Sequence, residues 1–257
     1  MKPIVKHTIL IAITALLLVL WFVGDRLAAD NRREITCKGV VAVIADSADR
    51  AFVKAGDIVS FMEDYGTYVG LRLDSVDLHR VEAVIDGKSA VKKSQAWLTD
   101  DGYIHISVTQ REPLVRFQHG ETGFYVDRSG YLFPLQSGFT SRVPIVDGEI
   151  PLRQYRGEPE TEAEKAWIGA MTELVGYMSA QKVWSDNISQ ITVLKGGDLL
   201  LVPREGRERF LFGPPTDIAA KFDRIRKYYE SIAPNCDPGT YSTVNVKYDG
   251  QIICRKK

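Results

Sequence analysis

The sequence has no excess of charge: 33 Lys and Arg residues face 33 Asp and Glu, for a formal net charge of zero. A nucleic-acid partner wants a basic field, so that class of function is set aside. Cysteine is scarce. Cys37, Cys236 and Cys254 are too few and too widely spaced for a disulfide framework. They read as buried free thiols, with a Cys236–Cys254 bridge as the alternative if the segments around them fold close together. Internal repeats, low-complexity runs and acidic or basic tails are also missing, which excludes solenoids and disordered interaction tails.

Catalytic and metal-binding patterns are equally thin. The four histidines, His7, His79, His105 and His119, show no zinc-ligand spacing and have no cysteine near them in sequence. Two Ser-x-x-Lys spacings occur, Ser89…Lys92 and Ser179…Lys182, without the Ser-Asp-Asn and Lys-Thr-Gly companions of penicillin-binding enzymes. Asp100-Asp101-Gly102 is more simply a turn than a pair of catalytic carboxylates. Lys195-Gly196-Gly197 lacks the following helix that a phosphate loop needs. Arg204, Arg207 and Arg209 read as a solvated loop rim, with a contact site as the alternative. The expectation is a protein that is not an enzyme and needs neither metal nor cofactor.

What the sequence does have is one long apolar run, Thr8 to Val23, with no ionisable residue between His7 and Asp25. As a helix it reaches roughly 25–27 Å, close to the ~30 Å hydrocarbon core, and Lys6 and Arg26 can snorkel over the difference. Asp25 and Arg26 follow at once, where a cleaved signal would place small residues. The run therefore reads as an uncleaved membrane anchor. Lys2 and Lys6 would hold the tail in the cytoplasm, leaving everything after Gly24 exported. The expected order is a cytoplasmic tail over 1–7, a transmembrane helix over 8–24 and a juxtamembrane linker over 25–35.

The exported part divides at Arg111-Glu112-Pro113. Over 36–112, Cys37–Ile44 reads as a strand ending at the Asp46-Ser47 turn, and Asp57–Asp64 as a short helix. Asp74-Ser75 reads as the N-cap of a second helix that stops at Gly87. Val91–Leu98 and Tyr103–Gln110 follow as strands, the second alternating Ile104, Ile106 and Val108 with His105, Ser107 and Thr109. Two helices against one three-stranded sheet make a compact β-α-α-β-β module. Over 113–257 the texture changes to short strands punctuated by Gly130, Pro134, Gly138 and Pro144. Two helices interrupt them, one opening at Pro159 and one over Thr216–Ile232. Asp249-Gly250 between two β-rich runs predicts a two-residue hairpin. The fold class is α+β: a single N-terminal transmembrane helix, the small module, then a larger mixed β domain with two helices.

Three stretches carry a resemblance that covers essentially the whole chain. Val108–Phe117 (VTQREPLVRF) is similar to the link from module to β domain in the bacterial cell-division family FtsQ/DivIB. Tyr125–Phe133 (YVDRSGYLF) resembles that family's V-D-x-x-G-x-x-F signature, at Val126, Asp127, Gly130 and Phe133. Val244-Asn245-Val246-Lys247-Tyr248 resembles its V-D-L-R-Y, with Asn245 where Asp is common. The chain also stops at Lys257, without the tail some members carry. The module correspondingly resembles a POTRA domain.

The resemblance implies a non-catalytic scaffold in the cytoplasmic membrane, its C-terminal domain periplasmic or otherwise extracytoplasmic. Its partners would be small bitopic proteins of the FtsB/DivIC and FtsL type, with an indirect link to septal peptidoglycan synthases. It also implies that a partner strand adds beside the last strand of the β domain, with Lys247, Tyr248, Gly250, Gln251, Ile252 and Ile253 at the contact. The competing expectation for those residues is a hairpin that merely finishes the sheet. Two other classes compete for the whole chain. One is a POTRA-bearing envelope transport or assembly factor, which would usually repeat the POTRA unit or carry a β-barrel. The other is a secreted enzyme with unrecognised catalytic residues.

Overall fold

The computed structural model describes residues 12–26, 35–45, 52–66, 68–136, 140–153 and 156–256. The expected tail 1–7, residues 8–11 of the expected span, linker residues 27–34, the Asp46-Ser47 turn and Gly138 lie outside the described residues.

Helix α1 covers residues 12–26 and is exposed throughout. Among the described residues no helix is long and apolar enough to cross a membrane. This corrects the expectation of a transmembrane helix over 8–24. The described helix is fifteen residues, a rise of about 22 Å, and it includes Asp25 and Arg26. The Arg26 guanidinium lies back over the Phe22 ring, 5.2 Å from its centre.

The folded chain divides into two units at Gln110/Arg111. In the first, the alternating central strand organises the sheet. Strands β1 (Gly39–Ile44), β2 (Val91–Leu98) and β3 (Tyr103–Gln110) lie in the order β1-β3-β2, with β1 parallel and β2 antiparallel to β3. Ile104, Ile106 and Val108 turn one face of β3 inward and are fully buried. Helices α2 (Ala55–Tyr65) and α3 (Leu78–Asp86) cover that face with Ile58, Met62, Val81 and Ile85. The N-cap of α3 is Asp77, which accepts from the Arg80 amide at 3.0 Å, not Asp74-Ser75. Those two belong to a 3-10 turn, where Asp74 pairs with Arg72 at 2.7 Å. Starting at Asp77 lets Val81 and Ile85, one turn apart, both face the core.

The second unit is a nine-stranded sheet in the order β12-β11-β10-β9-β8-β7-β4-β5-β6. Its strands are β4 (Pro113–His119), β5 (Thr122–Asp127), β6 (Leu132–Pro134), β7 (Ile145–Gly148), β8 (Ile188–Val193), β9 (Leu199–Pro203), β10 (Arg209–Gly213), β11 (Tyr241–Asn245) and β12 (Ile253–Lys256). One row of side chains crosses it in unbroken register: Phe124, Phe117, Val146, Ile191, Leu201, Phe210 and Val244, ending at Cys254. Every member before Cys254 is buried.

Helices α4 (Glu162–Ser179) and α6 (Ile218–Lys227) supply the apolar residues of the same core. Each sits in a crossover between parallel strands: β7 to β8 for α4, β10 to β11 for α6. Helix α4 starts at Thr161, two residues after the expected Pro159, through a capping box with Glu164. Glu164 also accepts from the Arg153 amide, and this bond, ahead of those from Thr161, holds its carboxyl below the usual range. A third helix, α5 (Lys182–Asn187), follows after Gln181, and the helix expected to 232 changes at Tyr228 into a wider π turn.

The start of the sheet is fixed by a buried ion pair. Arg111 Nη1 meets Asp127 Oδ2 at 2.8 Å, and the guanidinium stacks 3.5 Å over the Tyr131 ring. The other Asp127 oxygen accepts from the Ser129 and Tyr131 amides, closing the turn into β6. Asp127→Ala leaves Arg111 buried without its counter-charge. Urea unfolding of the second unit is expected to lose about 3–5 kcal/mol; a loss under about 1 kcal/mol would contradict this role for the pair.

Candidate interaction edge

A sheet of nine strands has two edges, and they differ. At β6 the strand is three residues long, Leu132 exchanges both backbone hydrogen bonds with Gly157 at 2.8 Å, and Pro134 has no N–H to offer. At the other end, among the described residues, β12 pairs with β11 alone. Its outward backbone groups are a template for another strand. Across the ladder, Cys254 faces the buried Val244, so Ile253 and Arg255 lie on the opposite face, where both are exposed.

The approach to β12 is not the expected two-residue hairpin. The ladder ends at Asn245↔Ile253, so seven residues, 246–252, join the strands. The reason is that the backbone after Asn245 is bound elsewhere. The Asn245 side chain accepts from the Lys247 amide at 2.9 Å, and the Val246 amide donates to the Leu211 carbonyl at 3.0 Å. From α6, Arg224 Nε donates to the Val246 carbonyl at 3.0 Å while its Nη1 reaches Asp249 Oδ1, also at 3.0 Å. Gly250, at φ 65, makes the return.

Two further cations hold the same corner. The Lys247 ammonium sits between both Asp198 oxygens, at 2.7 and 3.0 Å, and that hydrogen bond raises its pKa. The Lys247 stem lies against Gly213, where an added Cβ would approach Cγ to 2.6 Å at a φ of 77. Lys221 is 2% exposed; it donates to the Pro214 carbonyl at 2.7 Å and lies over the Phe212 ring. Burial, ahead of any neighbouring charge, pulls its pKa down.

The six residues expected at the contact therefore separate. Tyr248, Gly250, Gln251 and Ile253 are exposed, with Tyr248 at 52%. Ile252 packs against the core, and Lys247 is committed to Asp198. Sequence reasoning missed Arg224, Lys221 and Asp198. A signal for two of them was present: Lys221 and Arg224 sit on the inward stripe of α6 with Ile218, Phe222 and Ile225, where a cation needs an internal partner.

Three other residues weighed from the sequence have local partners. Ser179 donates back to the Val175 carbonyl at 2.8 Å. His105 stacks on Trp97, with ring centres 5.5 Å apart, and His79 is exposed beside Glu82. Among the described residues no group of three or more His, Cys, Asp or Glu is placed to hold a metal ion.

Residues 112–255 match the family model described as FtsQ/DivIB, C-terminal related, and residues 35–109 match a POTRA-like domain. No curated protein matches the chain in sequence. The first match covers more than half of the 257 residues, and the chain belongs to the FtsQ/DivIB C-terminal related family. That family is one of cell-division scaffolds, typically membrane-associated.

The clamp on residues 246–252 has a direct test. Arg224→Met leaves the Val246 carbonyl without its charged donor and is expected to cost about 1–3 kcal/mol in urea unfolding. Amide exchange over 247–252 should accelerate with it. Asp249→Asn, at a fully exposed carboxylate, should stay within about 0.5 kcal/mol of the parent. Equal losses in the two variants would mean that the exposed pair, rather than the carbonyl bond, holds the loop.

Proposed function

We propose that the chain is a non-catalytic scaffold of the bacterial division machinery. It binds small bitopic partners of the FtsB/DivIC and FtsL type and links early division proteins to septal peptidoglycan synthesis. Its POTRA-like and β domains work on the extracytoplasmic side of the cytoplasmic membrane. Contact is made partly by strand addition at β12, with main-chain bonds supplying affinity and Tyr248, Gln251 and Ile253 supplying selectivity.

The observation that carries this reading is the asymmetry of the sheet edges. Edge β6 is occupied by Gly157, whereas β12 is open, preceded by an exposed tyrosine on a loop anchored from beneath. Anchoring matters because a partner that must order its own target loses binding energy to that ordering. The β-domain match favours a division scaffold over a POTRA-bearing transport or assembly factor.

Tyr248→Glu places a charge on the proposed contact without touching the core. Co-purification with the small bitopic partners should weaken at least about thirtyfold, the size of a contact hot spot, while the circular dichroism spectrum is unchanged. Truncation after Tyr248, which removes β12, should abolish it. If both proteins remain folded and bind as the parent does, the edge-strand reading is wrong.

A further inference from the structure

Beside β12 lies a group of side chains that partner binding does not use. Cys236 follows the 3-10 turn Ala233–Asn235 and lines a cavity of about 630 Å³ together with Glu208, Tyr228, Pro238 and Tyr241. Its thiol donates to the Tyr241 hydroxyl at 3.7 Å. Cys254 comes to the same place from the sheet. Standing opposite the buried Val244, it must turn toward the face on which Tyr228 is buried. Cys254 and Tyr241 pack against the same core together with Ile232 and Ala233, the residues that lead into Cys236. Behind burial, the neighbouring Cys236 adds to the rise of the Cys254 pKa, and both thiols act in the same sense on Tyr228. All three cysteines are free thiols, and Cys37 belongs to the other unit's core.

We propose that Cys236 and Cys254 form a site of oxidative modification, closing to an intramolecular disulfide when they meet a disulfide-class oxidant. The Cys236 thiolate, reached through the cavity, attacks one sulfur of the oxidant and expels the other as a thiolate. The Cys254 thiolate then attacks the Cys236 sulfur and expels the oxidant's remaining sulfur. Two electrons pass to the oxidant, which leaves as two thiols, and the two cysteine protons balance the charge. Cys236 lines the cavity and makes the first exchange, while burial, and then the neighbouring Cys236, hold the Cys254 thiol above its ordinary range.

The bond encloses β11 and the 246–252 loop and ends on β12. Closing that loop takes conformational freedom from the chain around the open edge. The reduced form has β12 held by one ladder alone; the oxidised form also ties its centre to the turn after α6. A partner strand then finds an edge that accepts addition and resists displacement. The use of this chemistry in the cell rests on the extracytoplasmic placement proposed above, where disulfides persist. The chemistry itself does not.

The full chain is incubated with glutathione disulfide over a graded ratio to glutathione, quenched with an alkylating agent, digested without reduction and mapped by mass spectrometry. The expected product has lost two hydrogen atoms, contains a Cys236–Cys254 linked peptide and keeps Cys37 alkylatable. Cys236→Ser and Cys254→Ser should each abolish the mass loss, and Cys37→Ser should keep it. Amide exchange over β12 should slow about tenfold or more on oxidation. No linked peptide at the most oxidising ratio, linkage between two chains, or Cys37 in the bond would each overturn the proposal. Because no division partner is present, the result is independent of whether β12 takes a partner strand.

Discussion

The second unit depends on one row of side chains keeping register across the sheet. From Phe124 through Phe117, Val146, Ile191, Leu201 and Phe210 to Val244, each strand contributes one buried residue directly opposite its neighbour's. A slip of one residue in any strand would turn that strand's apolar set to solvent. Each such side chain is worth about 1.5–3 kcal/mol on burial, so the register is strongly specified. The apolar faces of α4 and α6 complete the same core. Burial falls at both ends of the row: at Pro134 opposite Phe124 on β6, the edge that Gly157 covers, and at Cys254 on β12.

The charges beneath that strand follow from the same constraint. Helix α6 returns the chain from β10 to a parallel neighbour, β11, so its inward face meets the backbone that leaves β11. Apolar residues cannot satisfy the Val246 and Pro214 carbonyls there; Arg224 and Lys221 do. Two cations are thereby buried in a core position, which holds only while their acceptors stay in place. The loop carrying Tyr248 is held by hydrogen bonds from α6 and to β10, and on the proposed reading that anchoring presents Tyr248 to a partner. Asp127 and Arg111 do similar work at the opposite end, joining the link into the β domain to the turn before β6.

Legibility in the sequence followed the range of the interaction. Strand β3 was readable to the residue because alternation is a local pattern, as were the glycine stop of α3 and the buried stripe of α4 from Ile168 to Met178. Failures came where distant residues decide. Asp249-Gly250 looks like a tight hairpin, but Arg224, two dozen residues earlier, draws the backbone away. Asp74-Ser75 and Asp77 are both acceptable caps, and only the core contacts of Val81 and Ile85 choose between them. The apolar run before Asp25 met the compositional rule for a span, while the described helix is short and carries Asp25 and Arg26. At the edge, Tyr248 and Ile253 were named through resemblance alone, and nothing in the pattern told that Lys247 turns inward to Asp198.

The central claim is that β12 is the strand to which a partner adds. Hydrogen–deuterium exchange on the full chain, alone and with the extracytoplasmic segment of an FtsB/DivIC-type protein, tests it most directly. The account predicts new amide protection concentrated at 253–256, with the β6 edge unchanged. Protection appearing at 132–134, or on β1 and β2 of the POTRA-like module, with β12 exchanging as before, would contradict it.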